Sequence, residues 1–456
     1  MKNREDAKRV ILFFAAAVII VIEAVIFEHI CFMYYRPILF WKRWQNGNLL
    51  LVCLYAVIIY FFSRVYGALK IGHHRLTDVI YSQALTVIFT NAVSYVQLCL
   101  MGRHIMEFHP IIIMTVMDML AVVIWACGSR WIYGKLYSAR RMLLIYGEYD
   151  PDDLLTKINS RKDKYRILDK ICISEDPEKI KKMILEYEAV VICDLPAQQR
   201  NDLIKYCFAK SVRAYVTPKI SDVIMRGADT MHSFDTPLLV MRNNGLSFEQ
   251  RVGKRIVDLV LTIPMCIVAS PFMLLIAILI KAYDGGPVLY KQRRLTLDGK
   301  EFMIYKFRSM CVDSEKGGAR LARKNDSRIT PVGKVLRNLH LDELPQVLNI
   351  LKGEMSLVGP RPERPEIAAE YYKEIPEFAF RLRVKAGLTG YAQIYGKYNT
   401  TPYDKLKLDM YYIENYSLWR DIRIILMTIK ILFVKENTEG VDDSQVTAMK
   451  SRGEGK

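Results

Sequence analysis

Four long apolar segments lie in the first 135 residues, and they constrain the fold more than any other feature of the chain. They occupy approximately residues 10–34, 48–63, 79–101 and 110–128. Each approaches the ~20 residues that a helix needs to cross a bilayer. The first segment is too long for a signal peptide and has no small-residue cleavage site before polar sequence. The sequence therefore predicts a retained four-helix transmembrane domain over residues 1–135.

Basic residues around these segments predict that both ends of the helical domain face the cytoplasm. Cations precede the first segment, join the second to the third, and follow the fourth: Lys2, Arg4, Lys8 and Arg9; Arg64, Lys70 and Arg75; Arg130, Lys135, Arg140 and Arg141. The loop between the third and fourth segments carries only Arg103. The positive-inside rule gives the orientation. Arg36, Lys42 and Arg43 in the first outer loop oppose it.

Short apolar runs alternate with polar helical stretches over residues of about 140–235. This rhythm is typical of βαβ units with a parallel sheet. We assign residues 136–247 to a Rossmann-like domain with a structural or regulatory role. Its first strand-to-helix turn contains only Gly147 and lacks the G-x-G-x-x-G pattern, which argues against a bound dinucleotide.

The same turn carries Asp150, Asp152 and Asp153 around Pro151. These acids superficially match the Asp-x-Asp motif with which metal-dependent glycosyltransferases hold a nucleotide sugar. They also fit the start of a helix, because Pro151 suits the first turn and carboxylates favour the positive end of the helix dipole. The second interpretation is the one we prefer.

A fifth apolar segment extends from Ile256 to Ile280 and is long enough to cross a bilayer. Basic residues flank both of its ends, and Pro264 and Pro271 interrupt it. A proline inside a helix removes one backbone hydrogen bond, and the hydroxyl of Ser270 is placed to bond the carbonyl that is freed. We therefore predict a re-entrant helix that enters the inner leaflet, turns at Ser270 and Pro271, and returns to the same side. A kinked full span is the alternative.

The stretch from Lys281 to Lys385 has 21 lysines and arginines against 14 aspartates and glutamates. A solvated surface near acidic lipids accounts for much of this charge. It does not account for the clustering of cations around short motifs, among which we single out Lys306, Arg308, Arg328, Arg337 and Arg361. The planar fork of arginine fits phosphate oxygens in a bidentate way. These residues are candidate phosphate-binding groups.

Amid these cations lie the adjacent acids Asp342 and Glu343, followed by Pro345 and an apolar run. Helix capping explains most isolated pairs of this kind, with Asp342 at the N-cap position. Here the arginines on both sides of the pair favour a catalytic role over helix capping. Two adjacent carboxylates can divide the work of phosphoryl transfer, since one attacks phosphorus while the other binds Mg²⁺.

Composition excludes several classes of protein. With 52% hydrophobic residues the chain is too apolar to be disordered. The nine cysteines form no C-x-x-C pair and the seven histidines no H-E-x-x-H, which argues against a zinc ribbon, a thioredoxin-like motif, a disulfide framework and a zincin site. The net charge of +17 suits phosphates and anionic lipids, and we expect no nucleic-acid partner.

The run from Lys254 to about Leu432 resembles the bacterial sugar transferases, the monotopic phosphoglycosyl transferases. The matching pieces are KRIVDLVLTIPMCIVASPF, GPVLYKQRRLTLDGKEFMIYKFRSM, DSRITPVGKVLRNLHLDELPQVLNILKGEMSLVGPRPE, RLRVKAGLTGYAQIYG and DMYYIENYSLWRDIRI. The four apolar segments and the Rossmann-like part also resemble the large polyprenyl-phosphate-dependent members. Two positions depart from the family pattern, because Ala386 replaces a usual proline and Tyr391 a common tryptophan. Both departures put in doubt whether the sugar or nucleotide pocket follows the family pattern.

The resemblance implies an α/β membrane protein whose mostly α catalytic domain, residues 248–456, contains the re-entrant helix. It implies transfer of a sugar-1-phosphate from a UDP-sugar to undecaprenyl phosphate, with release of UMP and a requirement for Mg²⁺. This is the first membrane step in building an exopolysaccharide, capsule or O-antigen, at the cytoplasmic face of the bacterial inner membrane. We also expect a homodimer.

The resemblance implies a role for each matching residue. Asp342 corresponds to the nucleophile that forms a covalent phosphoglycosyl-aspartate, and Glu343 to the metal-associated acid. Arg337 and Arg361 correspond to phosphate-contacting arginines. Ser270 and Pro271 correspond to the break in the re-entrant helix, while Lys306, Arg308 and Arg328 are candidates on electrostatic grounds alone.

Two other functions remain open from the residues. One is a metal-dependent glycosyltransferase that uses Asp150 and Asp152 and releases UDP. The other is a catalytically silent membrane scaffold that binds lipid or nucleotide through its basic face. The Asp342–Glu343 pair beside Arg361 argues against the scaffold.

Overall fold

The computed structural model of the chain describes residues 2–36, 46–137, 139–147, 151–159, 161, 164–233, 235–241, 245–311, 328–396 and 400–432. Lys42, Arg43 and Asp150 lie outside the described residues. The chain divides into two compact units, Met1–Thr217 and Pro218–Lys456.

The first unit begins with four long helices at the predicted apolar segments. They are α1 (Lys2–Tyr34), α2 (Asn46–Tyr66), α3 (Leu76–Gly102) and α4 (His109–Leu136). Each helix packs against the next along the chain, and α1 also packs against α4. Large apolar side chains point outward, with Phe13, Leu100 and Ile124 being 70%, 74% and 74% exposed. All four helices are long and apolar enough to cross a membrane.

A small parallel sheet follows in the same unit, as the alternating pattern predicts. Its strands are β1 (Arg140–Tyr146), β2 (Tyr165–Cys172), β3 (Ala189–Cys193) and β4 (Arg213–Val216), in the order β2-β1-β3-β4. Helices α5 (Asp152–Asn159), α6 (Pro177–Glu186) and α7 (Ala197–Ala209) connect them. At the end of β1, a Cβ added to Gly147 would lie 2.4 Å from the carbonyl oxygen of Asp194. This glycine therefore allows the close approach of two loops.

The second unit is mostly helical with short strands. Its elements are α8 (Ile220–Arg226), β5 (Asp229–Ser233), β6 (Thr236–Val240), α9 (Phe248–Asp284), β7 (Leu289–Leu295), β8 (Glu301–Phe307), α10 (Pro331–Asn338), α11 (Gln346–Lys352), β9 (Ser356–Val358), α12 (Pro365–Glu374), β10 (Gly387–Thr389), α13 (Tyr391–Tyr395), α14 (Pro402–Glu414) and α15 (Leu418–Leu432). Strands β7 and β8 form an antiparallel hairpin, and β9 pairs with β10 in parallel.

Helix α9 contains the fifth apolar segment and is also long and apolar enough to cross a membrane. Ser270 and Pro271 lie inside this continuous helix, so the residues predicted as a break do not interrupt it. The Ser270 hydroxyl donates to the carbonyl of Ile267 at 2.8 Å. Ile267 is four residues before Pro271, and its carbonyl is the one that the missing proline N–H leaves free. The predicted side-chain bond is therefore present.

Buried polar groups attach the first half of α9 to the rest of the second unit. Lys254 donates to Asp421 at 2.6 Å and to the hydroxyl of Tyr412 at 3.0 Å. Asp258 accepts from the Ser356 hydroxyl and from the backbone N–H of Leu357, both at 3.0 Å. Because buried charges are stable only when they are paired and hydrogen-bonded, these contacts fix the depth and rotation of the helix.

The second unit begins at Pro218, whereas the sequence pattern places the start of the catalytic domain at residue 248. Ile220, Val223 and Leu246 are buried in the same apolar core as Leu406 and Met410 of α14. Since burial of one such side chain contributes roughly 1.5–3 kcal/mol, the segment before α9 contributes to the stability of the second unit.

We predict that this segment stabilises the catalytic unit. In the full chain, Leu246→Ala should lower the free energy of unfolding by about 2–5 kcal/mol, because the side chain is 7% exposed and its removal leaves a cavity. A fragment that starts at residue 248 should correspondingly melt at a lower temperature than one that starts at residue 218. Thermal unfolding in one detergent measures both differences.

Leu239→Ala is the matched control, because Leu239 lies in β6 and is 57% exposed. Its effect should stay within about 0.5 kcal/mol. Equal melting temperatures for the two fragments would show that residues 218–247 are not part of the folded catalytic unit.

Candidate active site

The adjacent acids Asp342 and Glu343 lie in a short 3-10 turn between α10 and α11. His340 enters this turn with a φ of 54°, in the left-handed region, and so reverses the chain after α10. The N-cap position of α11 is occupied by Pro345. The prediction that Asp342 caps the following helix is therefore wrong, and neither acid occupies the N-cap position of α11.

Two cations from distant parts of the chain hold the carboxylate of Glu343. Lys306 Nζ on β8 is 2.6 Å from Oε1, and Arg361 Nη2 after β9 is 2.7 Å from the same oxygen. Burial opposes the charged form, but Arg361 and Lys306 hold the pKa of Glu343 well below its usual range. Glu343 is therefore a fixed anion at every physiological pH.

Asp342 has a different environment although it is the next residue. It is 9% exposed, and burial raises its pKa above the usual range, while Lys306 and Arg337 act in the opposite direction. A weakly solvated carboxylate that is not neutralised by a direct ion pair retains its basicity and can attack an electrophile. The two acids are thus distinguished by their surroundings, with Glu343 clamped and Asp342 available.

Arg337 is in the last turn of α10 and acts electrostatically on Asp342. Its Nη1 is buried and has no hydrogen-bond partner within the described part of the chain. Since a buried donor without a partner is costly, this nitrogen is suited to an anionic ligand next to the acids.

Two sequence candidates, Arg308 and Arg328, remain. Arg308 donates to Asp284 at 2.7 Å, at the end of α9, and its guanidinium fills the space beside Gly286. It serves to attach α9 to β8. The backbone carbonyl of Arg328 accepts from Cys311, next to a bridge between Met310 and Ile329. The structure thus brings Lys306, Arg337 and Arg361 to the acids, and it places Arg308 in a different ion pair.

Several residues that the sequence did not single out position Arg361. Arg381 is 3% exposed, and its Nη2 donates to the carbonyl of Arg361 at 3.0 Å. The same guanidinium pairs with Asp409 at 2.7 Å and with Glu363 at 3.3 Å, and Lys405 also pairs with Glu363. In the sequence, only the alternation of arginine with apolar residues in RLRV could have indicated that Arg381 is buried.

The backbone around Arg361 is also tightly packed. A Cβ on Gly359 would lie 2.3 Å from the carbonyl oxygen of Lys385, so only glycine fits there. Arg294 Nη1 donates to the carbonyl of Pro362 at 3.0 Å. With Pro360 and Pro362 restricting the chain on both sides, the direction of the Arg361 side chain is set before any ligand binds.

Among the residues that the structure describes, no group of three or more His, Cys, Asp or Glu could hold a metal ion. In the first unit, Asp152 Oδ1 is 3.6 Å from Lys170 Nζ and is exposed. The alternative metal site with Asp150 thus gains no support from the one acid of that pair that is described.

Comparison with known proteins identifies the second unit. Residues 249–435 match the family model for bacterial sugar transferases. The UDP-N-acetylgalactosamine-undecaprenyl-phosphate N-acetylgalactosaminephosphotransferase of Aeromonas hydrophila is 31% identical over 396 residues, which cover 85% of this chain and 86% of that relative.

Two further relatives match a smaller share of the chain. The undecaprenyl-phosphate glucose phosphotransferase of Komagataeibacter xylinus is 32% identical over 64% of this chain and 59% of its own length. The UDP-glucose:undecaprenyl-phosphate glucose-1-phosphate transferase of Klebsiella pneumoniae is 38% identical over 47% of this chain and 45% of its own length. The three names give two different sugars, N-acetylgalactosamine and glucose, whereas the lipid carrier is the same. The chain belongs to the bacterial sugar transferase family.

Proposed function

We propose that this chain transfers a sugar-1-phosphate from a UDP-sugar to undecaprenyl phosphate and releases UMP. The observation that carries the proposal is the pair of unlike acids. Glu343 is held by Lys306 and Arg361, while Asp342 makes no ion pair within the described part of the chain. Undecaprenyl phosphate appears in the names of all three relatives above. The reaction would initiate an exopolysaccharide, capsule or O-antigen.

The chemistry of the two substrates favours covalent catalysis by Asp342. A lipid phosphate is largely ionised near neutral pH, because the second pKa of a phosphate monoester is ~6. It therefore needs little help from a general base. Asp342 instead attacks the β-phosphorus of the UDP-sugar, the bond to the UMP oxygen breaks, and UMP leaves. The lipid phosphate then attacks the same phosphorus and frees the carboxylate.

The cations of the site have separate tasks in this scheme. Arg337 offers its Nη1, which has no partner among the described residues, to the charge that develops on the phosphoryl oxygens. Arg361 and Lys306 fix Glu343 in one position, and so also fix the turn that carries Asp342. The effect is preorganisation, because the donors need not move when the charge appears.

Mg²⁺ fits this site only together with the substrate. Mg²⁺ usually takes one or two carboxylates plus phosphate oxygens and water, and Asp342 with Glu343 offers two carboxylates side by side. Bound there, the ion would neutralise phosphate charge as a Lewis acid. One oxygen of Glu343 already receives both Lys306 and Arg361, which leaves its other oxygen for the metal.

The membrane placement is part of the proposal. Arg255 donates to the carbonyl of Ile350 at 2.6 Å, and Asp284 pairs with Arg308, so both ends of α9 are attached to the same unit. A straight helix would separate Arg255 from Asp284 by about 43 Å, and in the proposed re-entrant path a bend at Ser270 and Pro271 would shorten that distance. We infer a re-entrant α9 and a four-helix transmembrane domain, with the active site at the cytoplasmic face of the inner membrane. The Rossmann-like sheet is structural or regulatory, and a homodimer remains a prediction.

The mechanism predicts a burst of UMP without the lipid. Enzyme mixed with UDP-glucose or UDP-N-acetylgalactosamine alone should release close to one UMP per active site and carry a phospho-sugar on the peptide that contains Asp342. Asp342→Asn should abolish the burst and lower turnover at least about 10³-fold, which is about 4 kcal/mol in the barrier. Rapid-quench UMP measurement and peptide mass spectrometry test both outcomes.

Two variants control for this experiment. Glu343→Gln should retain a slower burst with a weaker dependence on Mg²⁺, since the nucleophile is still present. Asp298→Asn, in the exposed turn of the β7–β8 hairpin, should behave as the wild type. If UMP appears only when lipid phosphate is present and no adduct forms, direct attack in a ternary complex replaces the covalent mechanism. Release of UDP would support a glycosyltransferase, and failure of every donor would support a scaffold.

The re-entrant path predicts the sidedness of labels at both ends of α9. In a variant without native cysteines, Arg251→Cys and Tyr283→Cys should both react with an impermeant thiol reagent only from the cytoplasmic side. His104→Cys, in the loop between α3 and α4, should react only from the opposite side. Labelling of Arg251→Cys and Tyr283→Cys from opposite sides would establish a full span.

A further inference from the structure

Polar side chains from all four helices of the first unit are buried inside the helical bundle. They are Glu23 on α1, Tyr55 on α2, Gln83 and Asn91 on α3, and Asp118 on α4. None of the five is more than 1% exposed. We call them the bundle network. These helices are long and apolar enough to cross a membrane, and ionisable residues inside such helices are costly and mark functional sites.

The two acids of the network are each held by an amide of α3. Gln83 Nε2 donates to Glu23 Oε1 at 3.1 Å, and Asn91 Nδ2 donates to Asp118 Oδ2 at 3.0 Å. The Tyr55 hydroxyl donates to Asn91 Oδ1 at 3.0 Å. One oxygen of each carboxyl group is therefore held by a hydrogen bond, which also restrains the second oxygen.

The second oxygens of the two acids are buried without a partner. Glu23 Oε2 and Asp118 Oδ1 have no hydrogen-bond partner among the residues that the structure describes. The same is true of Gln83 Oε1, which belongs to the carboxamide that contacts Glu23, and of the Thr90 hydroxyl, one residue before Asn91. Carboxylate and carboxamide oxygens only accept hydrogen bonds. Since buried polar atoms normally have partners, this surplus of oxygens indicates a ligand that carries positive charge.

No lysine or arginine in the described part of the bundle neutralises the two acids. Glu23 and Asp118 interact electrostatically with each other, and no basic side chain acts on either of them. The nearest basic residues in sequence are Arg9 and Arg36 for Glu23 and Arg130 for Asp118. At the rise of an α-helix, each is about 18–21 Å from the acid along the helix axis. Two ionised carboxylates would therefore lack a counter-ion in this interior, which is very costly.

We propose that the bundle network binds one monovalent cation of the size of Na⁺ through the second oxygens of Glu23 and Asp118. Gln83 Oε1 and the Thr90 hydroxyl are its further ligands. One such ion, together with one proton, neutralises the two carboxyl groups. The site is independent of the chemistry proposed at Asp342, because all of its residues belong to the first unit.

Burial favours a monovalent ion over a divalent one. Oxygen ligands suit hard cations in general. Mg²⁺, however, dehydrates reluctantly and usually keeps several water molecules. Glu23, Gln83, Thr90 and Asp118 are all 0% exposed, so an ion at this position must lose its hydration shell. Two protons in place of the ion are the alternative that the experiment must separate.

Thermal unfolding of the full chain in phosphatidylcholine nanodiscs tests the site. Sodium chloride replaces N-methylglucamine chloride stepwise at constant ionic strength, and the melting temperature of the wild type should rise to a plateau. Glu23→Gln and Asp118→Asn should each weaken the apparent sodium affinity at least about tenfold, because each removes a charged ligand and keeps the shape of the side chain. Glu107→Gln makes the same change at an exposed acid between α3 and α4, and its sodium response should match that of the wild type.

Two further measurements make the result decisive. Without sodium, Glu23→Gln should melt at the same temperature as the wild type or higher, because it removes the repulsion between the acids, whereas loss of a merely structural contact would lower the melting temperature. Equilibrium binding of radioactive sodium should reach one ion per chain in the wild type and fall in both variants.

Three outcomes would contradict the proposal. Equal melting temperatures in both salts, with a pH dependence that Glu23→Gln and Asp118→Asn remove, would show two protonated acids and overturn the cation. A shift that requires both acids but comes only from Mg²⁺ or Ca²⁺ would overturn the monovalent assignment. An identical sodium response in the wild type and both variants would overturn the site itself.

Discussion

The ion pairs on Glu343 join three segments that are far apart in the sequence. Lys306 comes from the β7–β8 hairpin, Glu343 from the turn after α10, and Arg361 from the segment after β9. Glu343 is 15% exposed and Lys306 19%, so solvent screens this contact far less than it screens an ordinary surface pair. Loss of the Glu343 carboxylate would leave Lys306 and Arg361 close together without an anion, which is more costly than loss of an exposed pair. The active site is therefore assembled by the same contact that holds these segments together.

This constraint also explains why adjacent acids can have different tasks. Both are partly removed from water, which by itself favours the neutral form of a carboxyl group. Glu343 has two cations on one oxygen and remains charged. Asp342 senses Lys306 and Arg337 without being clamped, and burial raises its pKa. Environments that separate two neighbouring carboxyl groups are a common way of assigning different roles to them.

The sequence allowed the elements with strong local signals to be predicted. Apolar length revealed α1 to α4, the alternation of runs revealed the parallel sheet, and Asp342 with Glu343 stood out beside arginines. Positive charge alone does not distinguish the roles of Lys306 and Arg308. Lys306 contacts Glu343, whereas Arg308 pairs with Asp284. Lys306 and Arg308 are two residues apart at the end of β8, and only the packing of α9 decides their partners. Similarly, Arg381 and Asp409 meet across 28 residues, and no short motif encodes that distance.

Hydrogen bonds fix the backbone at Ala386, one of the two positions that depart from the family pattern. The family usually has proline at this position, which would restrict the backbone but could not donate a hydrogen bond. In this chain the N–H of Ala386 donates to the Thr296 hydroxyl at 3.2 Å, and that hydroxyl donates to the carbonyl of Glu354 at 2.9 Å. The next residue, Gly387, donates to the carbonyl of Pro360 at 2.9 Å, one residue before Arg361. A hydrogen bond thus fixes the backbone where a ring otherwise would, and the strand continues to support the arginine that holds Glu343.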